Sequence, residues 1–145
     1  MKVVAVSDTH MVEPESVLRK LDADLIIHAG DFVSYDVYSF LSQEYDVRAV
    51  HGNCDDAKLK KELPEVTVFE VEGVRFGVKH MPEMPDFMDI YYLARELEVE
   101  VMVFGHIHAF YLKRGKPTIL CPGTLKSGVY AEIELPSLDI RRVEF

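Results

Sequence analysis

Short apolar runs separated by helical spacing dominate the first half of the chain. Lys2–Ser7, with Val3-Val4-Ala5-Val6 at its centre, reads as a strand buried on both faces. Pro14 to Leu21 reads as a helix whose proline suits the first turn. Leu25–His28 is the next strand, and Ser34 to Glu44 is a helix with Val37, Phe40 and Leu41 on one face. Arg48–His51 is the third strand, so the alternation predicts a parallel sheet with helical crossovers. The pattern then changes. Val66–Val71 and Val74–Lys79 flank Glu72-Gly73, a hairpin signal. A helix is expected from Asp86 to Leu97, where Phe87, Ile90, Tyr91, Ala94 and Leu97 follow three-four spacing. Val101–Phe104 is a buried strand, and the tail alternates as β-structure over Phe110–Lys113, Thr118–Leu120, Val129–Leu135 and Leu138–Phe145, with Pro136-Ser137 at the last turn. The fold class is α/β with substantial antiparallel content. No repeat, linker or low-complexity tract divides it, so one domain over 1–145 is expected.

Composition narrows the function. With 145 residues and 48% apolar content, the chain can bury a core, which excludes a disordered polyanion. No apolar run approaches a membrane span and the start does not read as a secretory signal. Two cysteines, Cys54 and Cys121, suit a reducing cytoplasm better than a disulfide scaffold. The net charge of −9 argues against general nucleic-acid binding, although metal ions can still hold a small phosphate substrate. Glu reaches 14 while Asn53 is the only asparagine and Gln43 the only glutamine, a thermophile-like tendency that leaves the lone asparagine to be explained.

The chemistry-bearing residues collect where strands end. The first strand stops at Asp8-Thr9-His10, the second at Gly30-Asp31, the third at Gly52-Asn53-Cys54-Asp55, and later ones at His80 and Gly105-His106-Ile107-His108. Glycine before Asp31, Asn53 and His106 lets the backbone turn sharply and approach a site closely. In open α/β sheets that crevice is where ligands bind. Two Asp, one Asn and four His suit a borderline divalent cation: Mn²⁺, Fe²⁺, Zn²⁺, Ni²⁺ or Co²⁺. Seven ligands exceed one tetrahedral zinc, and two metals sharing a carboxylate fit the number.

In this order the blocks resemble the signature of the calcineurin-like metallophosphoesterases, and Gly-Asn-Cys-Asp with the short length resembles the small archaeal and bacterial phosphodiesterase branch. The resemblance implies a four-layer αββα sandwich with mixed sheets and a dinuclear centre, with Mn²⁺ the first choice. Carried onto this sequence, Asp8, His10, Asp31 and His108 would hold one metal. Asp31, Asn53, His80 and His106 would hold the other, with Asp31 bridging. Asp31, Asn53 and His80 are the residues expected to act in catalysis. The implied reaction is hydrolysis of a small phosphodiester by a hydroxide activated between the metals. The alternatives are a phosphomonoesterase or nucleotidase with the same centre, and a non-catalytic scaffold like the retromer subunit of this fold.

Several positions depart from the family pattern or stay open. Cys54 replaces the histidine that donates a proton in larger relatives, and is read as a buried or supporting thiol and not a nucleophile. His80-Met81-Pro82 lacks the second histidine of His-Gly-His, and Cys121-Pro122-Gly123-Thr124 replaces Asn-Pro-Gly-Ser, with its turn expected to persist through Pro-Gly. His28 is read as orienting a ligand or as structural. His51, where relatives often carry arginine, is either a packed strand-end residue or a phosphate contact. Met81, Met84, Phe87 and Met88 are taken as ordinary packing at a helix start rather than a lid, and Lys58, Lys60 and Lys61 as a solvated face rather than phosphate contacts. Oligomeric state is open, a homo-oligomer included.

Overall fold

A computed structural model describes residues 1–10 and 18–144. Its elements are β1 (Lys2–Val6), β2 (Leu25–His28), α1 (Tyr35–Glu44), β3 (Val47–Ala49), α2 (Ala57–Glu62), β4 (Val66–Val71), β5 (Val74–Lys79), α3 (Met88–Glu96), β6 (Val101–Phe104), β7 (Phe110–Lys113), β8 (Thr118–Pro122), β9 (Val129–Glu134) and β10 (Asp139–Glu144). A 3₁₀ turn covers Leu125–Ser127. The strands form two five-stranded mixed sheets, ordered β10-β9-β1-β2-β3 and β4-β5-β6-β8-β7.

Alternation along the strands explains the layering. Val3, Ala5, Leu25 and Ile27 point between the sheets and meet Val74, Phe76, Val78, Val101, Val103 and Leu120 from the second. Val4, Val6 and Ile26 point the other way, onto Val37 and Leu41 of α1 and Leu59 of α2. On the outer face of the second sheet, Met102, Phe104 and Ile119 pack under Ile90 and Ala94 of α3. The result is the four-layer αββα sandwich. Strands buried on both faces carry continuous apolar runs, which is why β1, β2 and β6 are uninterrupted by polar residues until their ends.

β1, β2 and β3 are mutually parallel, as the alternation predicted. Val71 pairs with Val74 across Glu72-Gly73, both at positive φ, the two-residue hairpin that a right-handed twist favours. Other boundaries differ. Residues 14–17 of the helix expected over 14–21 lie outside the described residues; Leu18 is helical and buried, and 19–21 turn away without continuing the helix. α3 begins two residues late because Phe87 adopts φ 62° and cannot continue a helix. β3 ends at Ala49, and β8 runs on to Pro122. α2 was not anticipated. It is only six residues long, started by Asp56, whose carboxylate accepts from the Leu59 N–H at 2.9 Å, and it carries Lys58, Lys60 and Lys61. Among the described residues no helix is long and apolar enough to cross a membrane.

Candidate metal centre

The mutually parallel β1, β2 and β3 of one sheet and the parallel pair β5 and β6 of the other all lead into the same site. The residues just past their ends meet there. Asp8, His10, Asp31 and His106 all adopt positive φ, as does Val33. L-residues visit that region rarely, and a cluster of such strained positions marks a constrained site. The three glycines explain how the loops fit. A Cβ on Gly52 would run into the Asp31 carboxylate, one on Gly105 into the Ser7 hydroxyl, and one on Gly30 would lie 2.8 Å from His80 Nδ1.

Both site aspartates are buried, Asp8 fully and Asp31 almost so. Burying a carboxylate is costly unless its oxygens are satisfied. In each, one oxygen is tied to the protein. Asp8 Oδ2 accepts from Ser7 Oγ at 2.6 Å and from the His106 N–H at 3.0 Å, and Asp31 Oδ1 accepts from the Cys54 N–H at 2.8 Å. The other oxygen of each faces only imidazoles. Asp8 Oδ1 lies 3.4 Å from His10 Nε2 and 3.3 Å from His108 Nε2. Asp31 Oδ2 lies 3.2 Å from His80 Nε2 and 3.6 Å from His10 Nε2. The Asn53 side-chain oxygen is 2.9 Å from His80 Nε2.

These donor atoms form two groups, Asp8 with His10 and His108, and Asp31 with His80 and His106, each with its ligand atoms within 4.8 Å of one another. Atoms about 2.1 Å from one cation sit about 3.0–3.4 Å apart, so the observed carboxylate–imidazole separations match the edges of a coordination shell. The donor set of oxygens and imidazole nitrogens fits borderline divalent ions. Asp31 Oδ2 faces His80 of one group and His10 of the other, the position a shared ligand must occupy.

The electrostatics follow from packing. Burial pushes the Asp31 carboxyl up, but the His80 hydrogen bond, the Cys54 N–H and the neighbouring imidazole charges outweigh it and hold it below the usual range. Burial lowers His80, but the Asp31 hydrogen bond and charge win and raise it. His80 Nδ1 donates to the Ala29 carbonyl at 2.7 Å, leaving Nε2 to face the site. His28 is fully buried, stacked on Phe32 with ring centroids 3.5 Å apart, and burial with the His80 charge lowers it to about 3. Its Nδ1 accepts from the Gly30 N–H at 3.0 Å and its Nε2 lies 3.3 Å from Thr9 Oγ1, so it is a neutral brace beneath the Asp31 loop.

All seven residues singled out from the sequence converge here. His106 and His108 lie in the bend after β6, His106 at φ 69°, and their imidazoles belong to different groups. Two expectations need correction. Cys54 is exposed, not buried, and its thiol is raised by desolvation and by the Asp31 carboxylate, which suits a supporting residue and not a nucleophile. Met81 and Met84 are exposed, and of that segment only Phe87 reaches Phe104 and Tyr111. Gly123 leaves β8 at φ 87°, as Pro-Gly suggested.

Two supports escaped the sequence reading. Asp55 is buried and accepts from the N–H groups of Gly52 at 2.6 Å, Val33 at 2.7 Å and Asp31 at 3.1 Å, clamping the Asp31 loop to the Asn53 loop. Its place three residues after Gly52 was the available signal. Thr124 donates to the Asp8 carbonyl at 2.8 Å, a contact 116 residues distant in sequence with no local signature.

The model for the calcineurin-like phosphoesterase superfamily domain matches residues 1–135. A probable metallophosphoesterase of Methanothermobacter thermautotrophicus is 31% identical over 99% of this chain and 87% of its own length. Among solved structures, an archaeal phosphodiesterase superposes with TM-score 0.81 at 18% identity over all of both chains. A zinc complex of Vps29 from Entamoeba histolytica superposes with TM-score 0.77 at 20% identity over 99% of both. The two structural likenesses speak to the fold; the first two matches speak to descent, and by them the chain belongs to the calcineurin-like phosphoesterase superfamily.

Proposed function

We propose that this chain is a metal-dependent phosphodiesterase that converts a small phosphodiester to a monoester and an alcohol. The observation that carries the reading is the pair of buried carboxylates, each with one oxygen fixed by the protein and the other turned toward imidazoles. Asp8, His10, Asp31 and His108 would hold one divalent ion. Asp31, Asn53, His80 and His106 would hold the second, with Asp31 shared and Mn²⁺ the first choice among Mn²⁺, Ni²⁺, Co²⁺, Fe²⁺ and Zn²⁺. Two such ions lower the pKa of a water and neutralise charge building on phosphoryl oxygens.

The protein's part is placement. Asp55 and Thr124 fix the loops that carry Asp31, Asn53 and Asp8. The Asn53 amide lies exposed beside His80, where it can contact a phosphoryl oxygen. The raised Cys54 thiol is not activated as a nucleophile, so the attacking oxygen would come from water activated by the ions these residues would hold. With no imidazole after Asn53 to protonate the departing alkoxide, esters with acidic leaving groups react best. The domain is taken to act in the cytoplasm, on a small molecule.

The Vps29 likeness favours a second reading, a protein-binding scaffold of the same fold. One assay separates the readings. After chelation, bis(p-nitrophenyl) phosphate and p-nitrophenyl phosphate are offered with each metal restored. Diester turnover that returns with metal, fastest with Mn²⁺, supports the proposal. Faster monoester turnover makes the chain a phosphomonoesterase, and no turnover with two ions bound makes it a scaffold.

A further inference from the structure

A second concavity opens beside the metal centre. It measures about 280 Å³, just under the usual range for small-molecule sites, and its inner end is formed by Asn53 and His80 themselves. Its lining also includes Lys60 of α2, Lys79 at the end of β5 with the exposed Met81 after it, and His51 just beyond β3.

Two ammonium groups and one ring nitrogen belong to this pocket's lining. The exposed Lys60 ammonium makes no hydrogen bond or ion pair among the described residues. Lys79 is largely covered, its side chain 16% exposed, yet its one counter-ion among the described residues is the outward-facing Glu83 carboxylate at 3.6 Å, well beyond the about 2.7–2.9 Å of a charge-assisted hydrogen bond. His51 Nδ1 is buried without a partner. A covered Lys79 ammonium with one distant counter-ion, beside a second ammonium without a protein partner, is what a bound anion would satisfy.

We propose that this pocket is a subsite for a second phosphate carried on the non-scissile side of the substrate, held by Lys60 and Lys79; the assignment to substrate rests on the phosphodiesterase reading. The lining also includes Glu65 and Glu83. These carboxylates repel a free anion, so the subsite works for a phosphate delivered by a molecule already anchored at the metals, where effective concentration offsets the repulsion.

The test is calorimetric titration of the metal-loaded chain with ethane-, butane- and hexane-α,ω-bisphosphates, against the matching alkyl monophosphates and ω-aminoalkyl phosphates. At the chain length that spans the pocket, the bisphosphate binds about fivefold tighter per lysine engaged, the scale of one partly exposed ion pair. Lys60→Gln and Lys79→Gln each reduce that advantage and together erase it. Lys61→Gln, which removes the same charge outside the pocket, leaves it intact, and Glu83→Gln enlarges it by freeing Lys79. The proposal is overturned if no chain length shows an advantage, if the advantage survives both lysine substitutions, or if the aminoalkyl phosphates bind tightest. Calorimetry reads the subsite whether or not bis(p-nitrophenyl) phosphate is turned over, so loss of turnover condemns the catalytic reading alone.

Discussion

The carboxyl ends of the two sheets differ in kind. The first sheet delivers oxygen: Asp8, Asp31 and Asn53, with only His10 as imidazole. Its carboxylates are buried and tied down by Ser7, Cys54 and His106, and its loops are clamped by Asp55. The second sheet delivers nitrogen alone, His80, His106 and His108, ranging from buried His80 to His108 with a side chain 54% exposed. A carboxylate needs its partners before it can be buried, so the aspartates are built deep, while imidazoles can stand nearer solvent. Cations placed between the halves would join the sheets as well as supply chemistry, so metal should stabilise the fold.

The sharpest contrast within the imidazole half is His80 against His108. Each removal should lower kcat/KM beyond the roughly 10–100-fold that loss of an outer partner costs. His80→Ala should also destabilise the metal-free chain, because the Ala29 carbonyl loses its ring N–H and Asp31 Oδ2 its nearest imidazole, whereas exposed His108→Ala should not. Equal melting temperatures for the two variants would break the contrast.

His28 sets the pH response of the acidic half. The unfolded chain takes up a proton near 6.5, but burial and the His80 charge keep folded His28 neutral down to about 3. Stability of the metal-free chain therefore falls as pH drops through that window, by about 4 kcal/mol from this group at pH 3. His28→Gln removes that proton uptake, so urea unfolding measured from pH 7 to 4 should show a shallower slope.

Gly52 tests how tightly the acidic loops are fitted. The β-carbon of Gly52→Ala meets Asp31 Cγ at 2.8 Å, and the cost should be about 1–3 kcal/mol with weaker metal binding. Gly115→Ala, whose nearest contact is the Pro117 carbonyl at 3.6 Å, is the matched control and should be neutral in denaturant titration. Smallest is Val33, a β-branched residue at φ 73° with 40% exposure. Val33→Asn should relieve about 1 kcal/mol of strain, read as a higher melting temperature.

Much of this centre was visible before any coordinates because its residues follow strands directly. A strand is a straight element, so a block at its end can go nowhere but the common edge of the sheet. That logic pointed to Asp8, Asp31, Asn53, His80, His106 and His108. It did not show that, past β6, a positive φ at His106 accompanies imidazoles in different groups. It missed α2, too short to show periodicity, and with it the element that carries Lys60. The Asp55 clamp needed three backbone amides from two loops, a convergence that side-chain pattern does not encode.

The account stands on two cations held between the sheets with Asp31 common to both, and direct metal counting reaches that claim. Chelated chain is dialysed against Mn²⁺ and bound metal is measured by mass spectrometry for the natural sequence and for Asp31→Ala. Two ions per natural chain, and loss of the pair in Asp31→Ala, is the predicted result. Two ions retained in Asp31→Ala, or none in the natural chain, would contradict it.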